Sequence, residues 1–388
     1  MSHLFKTYGR WPIEIQAAEA ATMTDTNEKT YVDLTSGLGV VNVGHCHPDV
    51  LAAVEKQLKQ YWHTSNLFES SLQEKVATQL TENTELDLAF FCNSGAEANE
   101  GAIKLAKKHT GRTKIVTLQQ SFHGRTFGAM AATGQDKIKA GFGPMLTEFV
   151  HIPLEDISAL HEAVDDNTAA VMLEVIQGES GVRLASSAYL KAVEEACQNN
   201  GALLIIDEVQ TGIGRTGSFF AYQSEGIDPD VVTVAKGLSN GLPVGAILGK
   251  HSLADAFSPG SHGTTFGGNP VAMAAASAVI SIVKNDDFLQ AVSSKGEAWI
   301  AQFKEELHDH PLVKDIRGKG LMIGIEMEKP VSPLITRLQE KGFLTLSAGE
   351  NVLRLLPPLI ISEDLLEDFV KTLKETMIAW HKETEQLV

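Results

Sequence analysis

The sequence predicts an α/β fold: a mostly parallel central sheet flanked by helices, joined to a smaller α+β unit. Two observations carry the first part. Short runs of β-branched and aliphatic residues recur as DLAFF (87–91), TKIVTL (113–118), AAVMLEVI (169–176), ALLIID (202–207), DVVTVA (230–235) and VGAILG (244–249). Between several of them lie stretches such as 96–109 and 187–199, whose apolar residues return every three or four positions, the period of an amphipathic helix. Apolar strands alternating with helices indicate a parallel sheet covered on both faces. The third observation is a change of texture after Pro270, to long helices over 271–283 and 286–308, strand-like pieces around KDIRG, GLMIGIEM and NVLRLLP, and a last helix over about 362–382. Residues 1–45 are irregular, carry one strand-like stretch, TYVDL, and are expected to pack with the C-terminal unit. The expected division is that segment, a large unit over 46–284 and a small one over 285–388.

Composition narrows the function. In the 388 residues, 43% are hydrophobic and 21% charged, a soluble globular profile and not a disordered one. Lysines and arginines number 32 against 49 acids, a net charge of −17, which repels phosphate backbones and anionic membrane surfaces. No nucleic acid and no membrane partner is therefore expected. Cys46, Cys92 and Cys197 are odd in number, widely spaced and form no CxxC pair, so no disulfide framework or cysteine-rich zinc site is encoded. The start MSHLFKTYGRWPIEIQ has no apolar run after a basic opening, and no segment reaches the roughly 18 apolar residues of a membrane span. A cytoplasmic protein is expected.

Several segments bear chemistry. In AFFCNSGAEANEGAIKLAKK (89–108) a strand ends, Ser94 is placed to cap a helix and Gly95 lets the backbone approach closely. Such a helix start is anion-ready, and equally an ordinary strand-to-helix turn. Asp207 ends the apolar run ALLIID. Strand ends are where open α/β sheets bind ligands, and a carboxylate there needs a cationic partner or serves as a capping residue. Lys236 ends the run VVTVA and enters KGLSNGLP. It is either a carbonyl nucleophile with a lowered pKa or a lysine reaching to water. GIGRTG (212–217) formally matches GxGxxG, but that fingerprint requires a helix opening within it, and the following SFFAYQ reads as extended. A nicotinamide dehydrogenase is thus the rival from another class. In GHCHPDV, alternate histidines on an extended segment point apart, so no metal site is expected, and a helix opening at Pro48 explains the segment.

Together these segments resemble the fold type I pyridoxal phosphate enzymes, and more narrowly the class III aminotransferases. The resemblance is carried by SGLGVVNVGHCHP (36–48), FFCNSGAEANEGAIKLA (90–106), SFHGRTFGAM (121–130), IQGESGV (176–182), LLIIDEVQTGIGRTG (203–217), AKGLSNGLPVGA (235–246) and HGTTFGGNP (262–270). Within that family, SFHGRT beside NSGAEANE is most similar to the branch acting on N-acetylornithine, with ornithine and 4-aminobutyrate branches close by. The resemblance implies that Lys236 tethers the aldehyde of pyridoxal 5′-phosphate and acts as general base, and that Asp207 pairs with the pyridine nitrogen. It implies that Ser94, Gly95 and Ala96 form the phosphate site together with Thr265 of a neighbouring subunit, so that the active unit is a homodimer. Phe122 and Val209 would flank the ring, and Gln210 would reach its phenolic oxygen. Arg354 would hold the α-carboxylate of 2-oxoglutarate, and Arg125, with Thr264 nearby, the α-carboxylate of N-acetylornithine. Glu179 would neutralise Arg354 while the donor reacts at its terminal amine. Where the family usually reads EPIQGEGG, this chain has EVIQGESG, with Val175 and Ser180 as the departures.

Overall fold

The computed structural model describes residues 3–385. Its centre is a seven-stranded sheet in the order Leu88–Cys92, Gly245–Gly249, Val231–Val234, Leu203–Asp207, Thr168–Leu173, Lys114–Leu118, Phe149–Ile152. Gly245–Gly249 runs antiparallel to both of its neighbours, and the remaining pairs are parallel. Every residue of Thr168–Leu173, Leu203–Asp207, Val231–Val234 and Gly245–Gly249 is buried. This accounts for the unbroken apolar runs, since a strand covered on both faces has no solvent side to alternate with.

Register brings the chemistry to one edge. Ile206 pairs with Leu173 and Asp207 with Thr233, so Glu174, Asp207 and the segment entering Lys236 emerge side by side at the carboxyl ends of the parallel strands. Facing them is the helix Gly95–Thr110. Ser94 accepts from the Glu97 amide at 3.2 Å while the Glu97 carboxylate takes the Asn93 amide at 2.6 Å, a reciprocal pairing that fixes where the helix begins. Gly111, at φ +69°, ends it in the left-handed conformation that glycine adopts freely.

A second, four-stranded sheet is antiparallel, in the order Val313–Lys319, Met322–Met327, Val352–Leu355, Leu346–Ala348. With the helices Asp286–Leu307, Ser332–Glu340 and Glu363–Glu385 it encloses a core that includes Trp299, Phe303 and Phe369. The Trp299 and Phe303 ring centroids are 4.9 Å apart. The N-terminal stretch holds three strands where the sequence pattern indicated one: Ile15–Glu19, Thr22–Asp25 and Thr30–Asp33. The last of these pairs in parallel with Phe343–Leu344.

Three further details depart from the sequence reading. Phe149–Ile152 is an additional edge strand. AAVMLEVI divides, its strand ending at Leu173 and a short hairpin of Ile176–Gln177 with Arg183–Leu184 following. SFFAYQ is not extended: Ala221–Glu225 closes into a 3₁₀ turn, because Glu208 Oε1 takes the Tyr222 amide at 2.9 Å and Gln223 Oε1 the Phe220 amide at 3.0 Å. Among the described residues no helix is long and apolar enough to cross a membrane.

Candidate active site

A cavity of about 390 Å³ opens at the carboxyl edge of the central sheet. Ser94, Gly95, Ala96, Phe122, Arg125, Glu179, Asp207, Val209, Gln210 and Lys236 all line it. The structure thus brings together residues spread over more than a hundred positions of chain. Thr264 and Thr265 stand apart from it: Thr264 Oγ1 accepts from Asn93 Nδ2 at 3.1 Å, and Thr265 is exposed. Arg354 is held behind the cavity wall and meets it through Glu179 and Gln210.

At one end the helix beginning at Gly95 points its first turn inward, and its leading amides have no intrahelical acceptor. A Cβ on Gly95 would lie 2.6 Å from Val209 Cγ1, so only glycine lets this backbone sit beside Val209. Anions are favoured at such a start by the free N–H groups and the helix dipole.

At the other end stands Asp207, 3% exposed. Its Oδ1 accepts from the Val209 amide at 3.0 Å, and its Oδ2 meets Asn99 Nδ2 and His123 Nδ1, each at 2.7 Å. Asn99 is itself oriented by Thr233 Oγ1 at 2.7 Å. Burial opposes a proton on His123, but the hydrogen bond and charge of Asp207 outweigh it and raise the imidazole. Glu174 is also buried; burial, with the Asp207 charge adding and the His123 charge opposing, pushes it up to about 8. It accepts the Phe122 amide at 3.1 Å and so fixes the loop that presents the Phe122 ring.

Lys236 rises between these groups. Its backbone has φ +40°, a left-handed conformation that a non-glycine residue holds only at a cost. Burial lowers its ammonium, with the Glu179 charge opposing that fall. Arg354 Nη1 donates to Glu179 Oε1 at 2.8 Å, to the Gly178 carbonyl at 2.9 Å and to Gln210 Oε1 at 3.2 Å. Burial would raise the Glu179 carboxyl, but the Arg354 charge, Lys236 and hydrogen bonds from Arg354 and Gln210 hold it down at about 2. The arginine side chain is 2% exposed and the glutamate 31%, so the acid is the member with room to move. Gln210 donates to Glu179 Oε1 at 3.0 Å, which engages it with this ion pair. Arg125 is exposed at the cavity mouth, 5.7 Å from the Phe122 ring centroid.

Sequence reasoning assigned no role to His123, Asn99 or Glu174. Asn99 lies four residues after Gly95, on the same helix face, and Glu174 follows AAVML just as Asp207 follows ALLII, so both signals were present. His123 carried none, because its contact with Asp207 is tertiary. The histidines of GHCHPDV are explained separately: His45 Nε2 meets Asp33 Oδ2 at 2.8 Å, and His47 caps the helix Pro48–Leu58. Among the described residues no cluster of His, Cys, Asp or Glu is placed to hold a metal ion.

An aromatic phosphate that carries an aldehyde and a protonatable ring nitrogen fits this lining. It finds amides for the phosphate, an amine for the aldehyde, a buried carboxylate for the nitrogen and apolar groups, Phe122 and Val209, for the ring.

Known proteins resemble this chain along nearly its whole length. A family model described as aminotransferase class-III matches residues 6–377. An acetylornithine aminotransferase of Bacillus subtilis is 56% identical over 387 residues, covering 100% of both chains. One of Bacillus cereus is 56% identical over 376 residues, 97% of each. Among solved structures, an ornithine aminotransferase of Toxoplasma gondii, crystallised with oxidised glutathione and holding PLP at partial occupancy in its active site, superposes with a TM-score of 0.94 at 31% identity, covering 99% of this chain and 94% of its own.

Proposed function

The chain belongs to the class III aminotransferases, of fold type I, and on that premise we propose that it moves the terminal δ-amino group of N2-acetyl-L-ornithine to 2-oxoglutarate. The products are N-acetylglutamate 5-semialdehyde and L-glutamate, a step of arginine biosynthesis in the cytoplasm, and the cofactor is pyridoxal 5′-phosphate. The observation that carries the reading is Lys236, with its lowered ammonium, sharing one cavity with Asp207 and the helix start at Gly95 and Ala96. Curated relatives with this activity in their names match the whole length at 56% identity.

Bound there, the cofactor supplies a cationic ring that accepts the electron pair released when a carbon beside nitrogen loses its proton. The protein's part is to hold charges and protons. Gly95 and Ala96 offer amides, and Ser94 fixes the start of their helix. Asp207, braced by Asn99, His123 and the Val209 amide, presents a carboxylate that favours a proton on the ring nitrogen opposite. Lys236 Nζ would take the proton from the substrate carbon and return it elsewhere; burial, by lowering the ammonium, increases the share of the neutral, basic form that this role needs. Phe122 and Val209 would confine the ring, and Gln210, now engaged with Glu179 and Arg354, would serve its phenolic oxygen.

Substrate choice falls to the arginines. Arg125 takes the α-carboxylate of the donor, with Thr264, which stands apart from this cavity, read like Thr265 as reaching the site of a second copy; Arg354 takes that of 2-oxoglutarate once Glu179 has swung aside, since a guanidinium fork matches a carboxylate in bidentate fashion. In the donor half-reaction Glu179 keeps Arg354 neutralised. Thr265 is read as completing the phosphate site of a second copy in a homodimer. Its exposure, together with that of Phe266, Trp62, Leu67 and Phe68, supports a covered surface there. The same reading takes residues 46–284 as the cofactor-binding unit and 285–388, joined by 1–45, as the smaller one.

The test is the visible absorption of the protein after supply of pyridoxal phosphate, followed by rates with N-acetylornithine, ornithine, 4-aminobutyrate and succinylated diaminopimelate. A band that bleaches with N-acetylornithine, and the highest kcat/KM for that donor, are expected. A protein that stays colourless removes the cofactor from the proposal, and a faster reaction with another donor reassigns the substrate.

A further inference from the structure

The loop Gly212–Gly217 has no place in the mechanism above, yet it contains the most completely buried cation of the site region. Arg215 is 0% exposed. Burial pushes its guanidinium down to about 9 even with the Asp33 charge opposing. Its hydrogen bonds run to separate parts of the chain: Nη1 donates to the Leu321 carbonyl at 3.0 Å and the Pro357 carbonyl at 2.6 Å, and Nη2 donates to Asn42 Oδ1 at 2.7 Å and Ser36 Oγ at 3.3 Å. No carboxylate is among these partners. A guanidinium held by neutral acceptors is an expensive way to join loops, which directs attention to what it orients.

That is Asn42. Its side chain, 1% exposed, is fixed at both ends, the oxygen by Arg215 and Nδ2 by the Ile213 carbonyl at 2.8 Å. It bears on Gly237, where a Cβ would fall 2.3 Å from Asn42 Nδ2. Gly237 follows Lys236 directly, and the conformation at Lys236 is the strained one, φ +40° after an Ala235 at φ −161°, ψ −136°. Strain of this kind, of order 1–3 kcal/mol, persists only where the surroundings over-determine it. Asn240 adds a second tie, accepting from the Val43 amide at 3.0 Å and donating to the Gly44 carbonyl at 2.8 Å. Residues 42–44 therefore lie as a strap across the loop that carries the amine.

We propose that Arg215, acting through Asn42, is a positioning residue for Lys236: it clamps the strained backbone that aims the amine into the cavity. The same guanidinium grips the carbonyl of Pro357, three residues beyond Arg354, so one buried cation sets the amine and the substrate-selecting arginine against each other. This rests on the reading of Lys236 as the cofactor's anchor.

The test compares Asn42→Ala and Gly237→Ala with the parent, all loaded with pyridoxal phosphate. The readouts are the pH midpoint of the visible band, kcat and KM for each substrate, and the melting temperature. Gly237→Ala attacks the same contact from the loop side, and so carries the test if Asn42→Ala does not fold. Expected in both is a displaced midpoint and a kcat lower by about 10-fold, equivalent to about 1.4 kcal/mol, with KM within about twofold. A parental midpoint and kcat combined with a lower melting temperature would reduce Arg215 and Asn42 to a structural brace and overturn the proposal. A parent protein without any visible band would instead overturn the cofactor reading itself.

Discussion

At the carboxyl edge of the central sheet Asp207, Glu174 and His123 are buried beside the amine of Lys236, whereas the core against the second sheet is filled by Trp299, Phe303, Phe369 and their aliphatic neighbours. The second arrangement is what burial favours, since each apolar side chain removed from water stabilises the fold. The first opposes it, because ionisable groups out of water are costly unless paired. Burial pushes Glu174 up to about 8 even though the His123 charge opposes it. A chain selected for stability alone would not concentrate such groups on one edge. The contrast separates residues present for chemistry from residues present for the fold, and substitutions on the two sides should fail in different ways.

The largest effect is expected for Lys236→Ala. Removing the general base and cofactor anchor should lower turnover on the order of 10⁴-fold, while the melting temperature holds or rises because a poorly solvated ammonium is gone. Calorimetry beside single-turnover bleaching checks both halves. A protein destabilised in proportion to its lost activity would erase the distinction between the regions. The mirror-image experiment is Phe303→Ala, at a ring packed on Trp299 and Phe369. A buried phenylalanine cut to alanine costs about 3–5 kcal/mol of stability, with kcat per folded molecule unchanged. Chemical denaturation gives the first number and active-site titration normalises the second. A selective loss of kcat would mean that this core is coupled to the chemistry.

The two regions also differed in how openly the sequence displayed them. The central strands and Lys236 and Asp207 at their ends were legible because a strand buried on both faces leaves an unbroken apolar run, and an ionisable residue closing one is conspicuous. Phe149–Ile152 was hidden because it is a sheet edge with Val150 exposed, so it has no such run. Ile15–Glu19 is mostly exposed and Thr22–Asp25 mostly half-buried, and neither gave an alternation. The resemblance to the aminotransferase family, and not any pattern of spacing, supplied Arg354, Glu179 and Thr265. Nothing local could have joined Arg354 to Glu179, 175 positions apart. Arg215 was passed over because the glycines around it invited a dinucleotide reading, while its partners Ser36, Asn42, Leu321 and Pro357 are brought to it only by the fold.

The smallest and most discriminating change is Glu179→Gln, since it touches the site's charged pair whose members differ in freedom, the arginine 2% exposed and the glutamate 31%. Charge-assisted hydrogen bonds are worth about 1.5–3 kcal/mol, so the ratio of kcat/KM for 2-oxoglutarate to that for N-acetylornithine should shift about 10- to 100-fold toward the dicarboxylate. Arg354 would then be unmasked in both half-reactions. The pH dependence follows from the position of Glu179 at about 2. A carboxyl depressed in the folded state stabilises it fully above the unfolded value of about 4.3, and that contribution fades as pH falls from there through about 2. Between pH 5 and 9 the parent should therefore keep a constant Glu179 charge, and Glu179→Gln should displace the selectivity ratio by the same factor at every pH. Stopped-flow measurement of each half-reaction across that range decides it: a factor that changes with pH would show that the pair titrates in the working range and that the acid is not the fixed mask this geometry describes.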